Sequence, residues 1–182
     1  MKSLEILEAR GNQLPVHAAA SIGVLKELRR LDVSNNEHFF EVYEGPLRDI
    51  HAVDELIKLE KLSHLGVSKT GLVDDEMRDL LKRGENSYLP KLRHLHASRN
   101  QVTEAIVPTL QGHASLREVS LRDNPSITEE TVKNMALSMP GLRKLNGRGI
   151  ENGVLAPDFT AKSQASAAQT GPATSRSSRG GR

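Results

Sequence analysis

The chain of 182 residues contains no cysteine. That excludes disulfides, thiolate zinc sites, iron–sulfur clusters and cysteine nucleophiles, and it fits a reducing compartment. Tryptophan is also absent, and Phe and Tyr together supply five side chains. Any core must then be aliphatic, built from Leu, Ile, Val and Ala. No apolar run approaches the ~18 residues of a membrane-spanning helix. The opening residues, MKSLEILEARGNQL, lack the long apolar stretch of a secretory signal. The expected setting is intracellular, cytoplasmic rather than nuclear, with no membrane partner. Acids are missing from Thr160–Arg182, which holds Lys162, Arg176, Arg179 and Arg182. Without these four, the chain carries 21 basic against 23 acidic side chains. The pI of about 9.0 therefore belongs to the tail, and the body's charge does not call for nucleic acid.

The usual catalytic signatures are missing too. There is no G-x-x-x-x-G-K-[ST], no G-x-G-x-x-G after a strand and no G-x-S-x-G elbow. The acidic pairs Asp74-Asp75 and Glu129-Glu130 open helical segments, where they favour the helix dipole rather than acid–base work. The expectation is a protein that is not an enzyme, with no cofactor and no small-molecule substrate.

What the chain does have is a repeat. L-x-x-L-x-L-x-x-N-x-L fits LEILEARGNQL from Leu4 to Leu14, LRRLDVSNN from Leu28, LSHLGVSKTGL from Leu62 to Leu72 and LRHLHASRNQV from Leu92 to Val102. LREVSLRDNPSI from Leu116 to Ile127 has one inserted residue, and LRKLNGRGI from Leu142 to Ile150 is degenerate. The copies start 24, 34, 30, 24 and 26 residues apart. Inside each copy apolar residues alternate at period two, as one strand face requires. Between copies, Asp74–Arg83, Thr103–Leu110 and Thr128–Met139 read as helices, with Gly84 a stop, Pro108 a break and Thr128 an N-cap.

These copies resemble the leucine-rich repeat family from Leu4 to Leu155, closest to its ribonuclease-inhibitor-like class. The resemblance implies an α/β solenoid, with a curved parallel sheet on the concave face and helices on the convex face. It also implies that Asn12, Asn36, Asn100 and Asn124 bond the backbone of adjacent turns, with a weaker rung at Thr70. Met139–Ile150 resembles the P-x-L-x-x-L-D/N-G-x-x-I/V cap of short leucine-rich repeat proteins. The division expected is a repeat domain over 1–156, capped near 139–155, and a basic Ser/Ala/Gly-rich flexible tail over 157–182. At the other end Leu4 is already a repeat position, so either upstream sequence is missing or another chain covers that face.

In this family the residues beside the strand leucines project from the concave sheet. The third template position reads Ile6, Arg30, His64, His94, Glu118, Lys144; the fifth reads Glu8, Asp32, Gly66, His96, Ser120, Asn146. The seventh reads Arg10, Ser34, Ser68, Ser98, Arg122, Arg148. A partner is expected to meet Arg30, Asp32, His64, Lys69, His94, His96, Arg99, Glu118 and Arg122 there. Three His and one carboxylate are also a zinc-type donor set, but nothing in the sequence orients them, and no metal is expected. The insertion near Glu37–Pro46 holds Phe39, Phe40 and Tyr43. They read either as interface anchors or as core packed on the following helix.

The function expected is a non-catalytic protein–protein interaction module, a scaffold or subunit of a larger assembly that binds an unidentified protein through its concave sheet. One alternative is an RNA-associated subunit, with nucleic acid held through the tail only, whose end reads SRSSRGGR. Another is a metal protein built on the His cluster.

Overall fold

The computed structural model describes residues 3–41, 51–82 and 89–157. Tyr43, Leu47, Ile50, Gly84 and the tail from residue 158 lie outside the described residues. Each full copy of the repeat contributes one three-residue strand. These are β1 (Ile6–Glu8), β2 (Arg30–Asp32), β3 (His64–Gly66), β4 (His94–His96) and β5 (Glu118–Ser120). They pair in parallel and in sequence order, with β6 (Lys144–Leu145) following. The register aligns Ile6, Arg30, His64, His94, Glu118 and Lys144 across the sheet. That is the third template column, and a one-residue slip would have inverted both faces.

The second face of the sheet is covered by helices. These are α1 (Ala18–Gly23), α2 (Ala52–Leu56), α3 (Asp74–Leu80), α4 (Val107–Gly112) and α5 (Glu129–Ser138). The strand leucines Leu31, Leu65, Leu95 and Leu145, with Val119, join the helices' apolar faces in one buried cluster from Val16 to Leu145. Thr128 caps α5, accepting a hydrogen bond from the Thr131 amide at 3.1 Å. Pro108 departs from expectation: it sits in the first turn of α4, where its missing N–H costs nothing, and Glu104–Ile106 forms a 3₁₀ turn before it.

Two polar ladders hold the turns that follow the strands. The Asn100 carboxamide oxygen accepts from the Thr70 and Leu72 amides at 3.0 and 3.3 Å. Its nitrogen donates to Val67 and Ala97 carbonyls at 2.8 and 3.1 Å. Asn36 and Asn124 bond in the same way. Thr70 makes one such bond, to the Val67 carbonyl, and the Phe40 amide reaches the Thr70 carbonyl instead. The second ladder was not anticipated. Ser34 and Ser68 hydroxyls accept from the Ser68 and Ser98 amides, each at 3.1 Å, so these serines tie rungs together rather than facing a partner.

Phe39 and Phe40 of the insertion belong to the core. Phe39 is fully buried and Phe40 is 6% exposed, their rings edge-to-face at 5.3 Å. This corrects the reading of Phe39 and Phe40 as interface anchors: desolvation inside a longer repeat, not a partner, satisfies them.

The C-terminal cap takes a form the repeat template does not give. β7 (Arg148–Glu151) pairs antiparallel with β6, and β8 (Val154–Leu155) with β7. Arg148 accordingly leaves its column. Its guanidinium is 11% exposed and bonds Glu129 at 2.6 Å and the Ala156 carbonyl at 2.6 Å. Asn146 adopts φ 52° and accepts from the Leu121 amide at 2.7 Å.

Candidate functional site

Period-two alternation sends the leucines of β1–β4 and Val119 of β5 inward and the residues beside them outward. The outward residues line a concave hollow of about 420 Å3. Of the residues expected to meet a partner, Arg30, Asp32, His64, His94, His96 and Glu118 share it. Glu8, Arg10 and Gly66 line it as well. Their column positions were readable in the sequence, but no motif marked them.

Most of the polar wall residues are held by a specific partner. Arg10 donates to Asp32 at 2.9 Å, and the Ser34 amide donates to the other oxygen of that carboxylate at 2.9 Å. Burial is the largest influence on Asp32 and opposes its ionisation. The Ser34 hydroxyl and amide and the Arg10 guanidinium together outweigh it and hold the carboxyl below its usual range. Gly66 makes room for this arrangement, because a Cβ there would stand 2.6 Å from an Asp32 oxygen.

His64 and His94 occupy neighbouring strands and stack face to face, centroids 4.0 Å apart and planes within 3°. Ser63 Oγ holds His64 Nδ1 at 2.8 Å. Glu118 collects the charges on the other side, with His94 Nδ1 and His96 Nε2 each at 3.5 Å and Lys144 Nζ at 3.8 Å. Burial is the main cause that pushes the His64 pKa down, and His94, Arg30 and His96 add to it; Glu118 pulls the other way and loses.

The rings' stacking keeps their nitrogens in parallel planes. Among the described residues no group of three or more His, Asp or Glu has a geometry that could hold a metal ion. The remaining expected residues lie in the turns beyond the strands. Lys69 pairs with Glu37 at 2.8 Å, Arg99 with Asp123 at 3.1 Å, and Arg122 donates to the Asn146 carbonyl at 2.7 Å. Tyr43 lies outside the described residues.

No protein-family model and no curated protein matches the chain. Solved structures do. It is similar to a chain of the Drosophila melanogaster SNF/U2A' complex, at 22% identity and TM-score 0.54 over 80% of this chain and 74% of that one. It is similar to the Mex67 LRR domain from Chaetomium thermophilum, at 19% identity and TM-score 0.50 over 81% and 97%. The chain has the leucine-rich repeat fold. The Caenorhabditis elegans tropomodulin C-terminal domain is also similar, at 16% identity and TM-score 0.53 over 85% and 91%. At these identities the likeness is one of leucine-rich repeat architecture, and the hollow's chemistry rests on the residues above.

Proposed function

We propose that this leucine-rich repeat protein is a non-catalytic interaction module that receives a protein partner on its concave sheet. One observation carries the reading. The hollow is walled by Arg10, Asp32, His64, His94, His96 and Glu118, held on the strands by one another, and by Arg30, whose side chain is left exposed beside them. Such a surface positions hydrogen-bonding and charged groups for an extended partner. The similarity to a chain of the SNF/U2A' complex supports a role as a subunit of an assembly.

The test is affinity capture from native extract with the full chain, followed by mass spectrometry. Two variants are compared with the wild type: Arg30→Glu with His96→Glu on the concave face, and deletion of Thr160–Arg182. Loss of the captured protein in the first and retention in the second is the expected outcome. Loss confined to the tail deletion, together with salt-sensitive RNA in the wild-type capture, would replace this reading with the RNA-associated one.

A further inference from the structure

Charge on the concave face is unevenly satisfied. Arg10 is spent on Asp32, and Glu118 collects His94, His96 and Lys144. Arg30 is exposed, faces the same hollow and has no counter-ion or hydrogen-bond partner among the described residues. In the register it stands directly beside His64, which stacks on His94. Neighbouring strands are about 4.8 Å apart, so one small anion can touch Arg30 and the His64 edge together.

We infer that the row Arg30, His64, His94 is a seat for a carboxylate side chain of the protein partner, and that filling it draws a proton onto His64. The inference rests on the concave-face reading above. The surroundings select the ligand. Glu8, Asp32 and Glu118 also line the hollow, on β1, β2 and β5, and they repel a polyanion such as a nucleic-acid backbone. One or two carboxylates on a peptide segment meet Arg30 without crowding those acids.

The proton coupling follows from the groups that face His64. Burial is the largest influence against its protonation, His94 on β4, Arg30 on β2 and His96 on β4 add to it, and Glu118 on β5 favours protonation without prevailing. Asp32 beside it is engaged by Ser34 and Arg10. An arriving carboxylate neutralises Arg30 and adds a second favourable charge, which tips the balance toward imidazolium. A ligand that binds the protonated form better must raise its proton affinity by the same factor.

The experiment uses the full chain and two synthetic probes, acetyl-Ala-Glu-Ala-Glu-Ala-amide and its Lys counterpart, followed by NMR of the His ring protons from pH 8 to 5. The expected result is selective movement of the His64 and His94 signals by the Glu peptide and a higher His64 titration midpoint when it is bound. Binding should be tighter at pH 5.5 than at 7.5, and about two- to fivefold weaker in Arg30→Gln, the range for an exposed ion pair. An unchanged midpoint, equal binding of the Lys peptide, identical affinity in Arg30→Gln, or no binding at millimolar peptide each overturns the carboxylate seat. If any of these occurs while the concave variant still loses the captured protein, the seat fails and the interaction reading stands. If the concave variant keeps its partner, the interaction reading fails first.

Discussion

At the scale of single residues, the repeat is held by side chains that replace backbone partners in the turns. Asn100 shows how much one residue carries: its carboxamide accepts from two amides of the preceding copy and donates to two carbonyls. Removing the acceptor orphans buried N–H groups, each at about 1–3 kcal/mol. Asn100→Ala should therefore lose about 2–4 kcal/mol in urea unfolding. Asn12, on the first rung, is exposed and its side chain donates to the Arg10 carbonyl of its own turn at 3.2 Å, so Asn12→Ala should lose less than about 0.5 kcal/mol. Equal losses would show that the ladder is ornamental to stability. Glycines separate two further costs. Gly11 and Gly71 both have left-handed φ, 69° and 81°, but a Cβ meets nothing at Gly11 and the Glu37 carbonyl at 2.9 Å at Gly71. Gly11→Ala should cost about 1 kcal/mol from conformation alone. Gly71→Ala should cost about 1–3 kcal/mol more, because the close contact is overpacking against backbone. Thermal unfolding of the two variants side by side reads the difference.

At the scale of elements, strand positions and register were legible because Leu and Val recur at fixed offsets, and the same offsets place Arg30, His64, His94 and Glu118 in one column. The Thr128 cap was legible for a similar reason, a short side-chain oxygen ahead of an amphipathic run. What the sequence obscured was direction and length. Ser34, Ser68 and Ser98 share a column with Arg10, yet Ser34 and Ser68 are short enough to turn onto neighbouring amides and Ser98 onto the Ser120 hydroxyl, while Arg10 extends to Asp32. Arg148 follows the template spacing, but its chain has already reversed into β7. Phe39 and Phe40 resemble anchors in a sequence poor in aromatics, and only the extra length of their repeat reveals that the core has space for them. Their burial makes a prediction. Phe39→Ala should cost about 3–5 kcal/mol, as other buried Phe truncations do. Circular dichroism melts and partner capture taken together check it. Full stability with lost capture would return Phe39 to the interface.

At the scale of the whole molecule, strands β1 to β6 share one sheet and one continuous apolar cluster, so a local change on the concave face is felt by the global unfolding equilibrium. Protonation of His64 is such a change. Its folded pKa lies below the ordinary imidazole value of 6.5. Above that value the imidazole is neutral in both states and contributes nothing to pH dependence. As pH falls through 6.5 the unfolded chain takes up the proton first, and stability falls until the folded-state pKa is passed, below which the loss is complete. Asp32 acts in a separate window and with the usual carboxylate sign. Its folded pKa is held below 3.8, so its contribution is present above that value and is lost only as pH drops further. Between pH 7.5 and 5.5 the window of His64 is therefore the one crossed. Urea unfolding at those two values should show the wild type losing stability. His64→Gln should lose less, because the ring whose pKa the fold lowers is gone. The variant's lost ring stacking shifts both measurements equally, so only the difference between the two pH values counts. If His64→Gln shows the same fall as the wild type, folding does not lower the His64 pKa, because equal proton uptake by the folded and unfolded chains leaves no pH dependence. A fall in the wild type that disappears when an acidic peptide is bound would link this stability term to the carboxylate seat, since the ligand supplies the counter-charge that the folded protein withholds from His64.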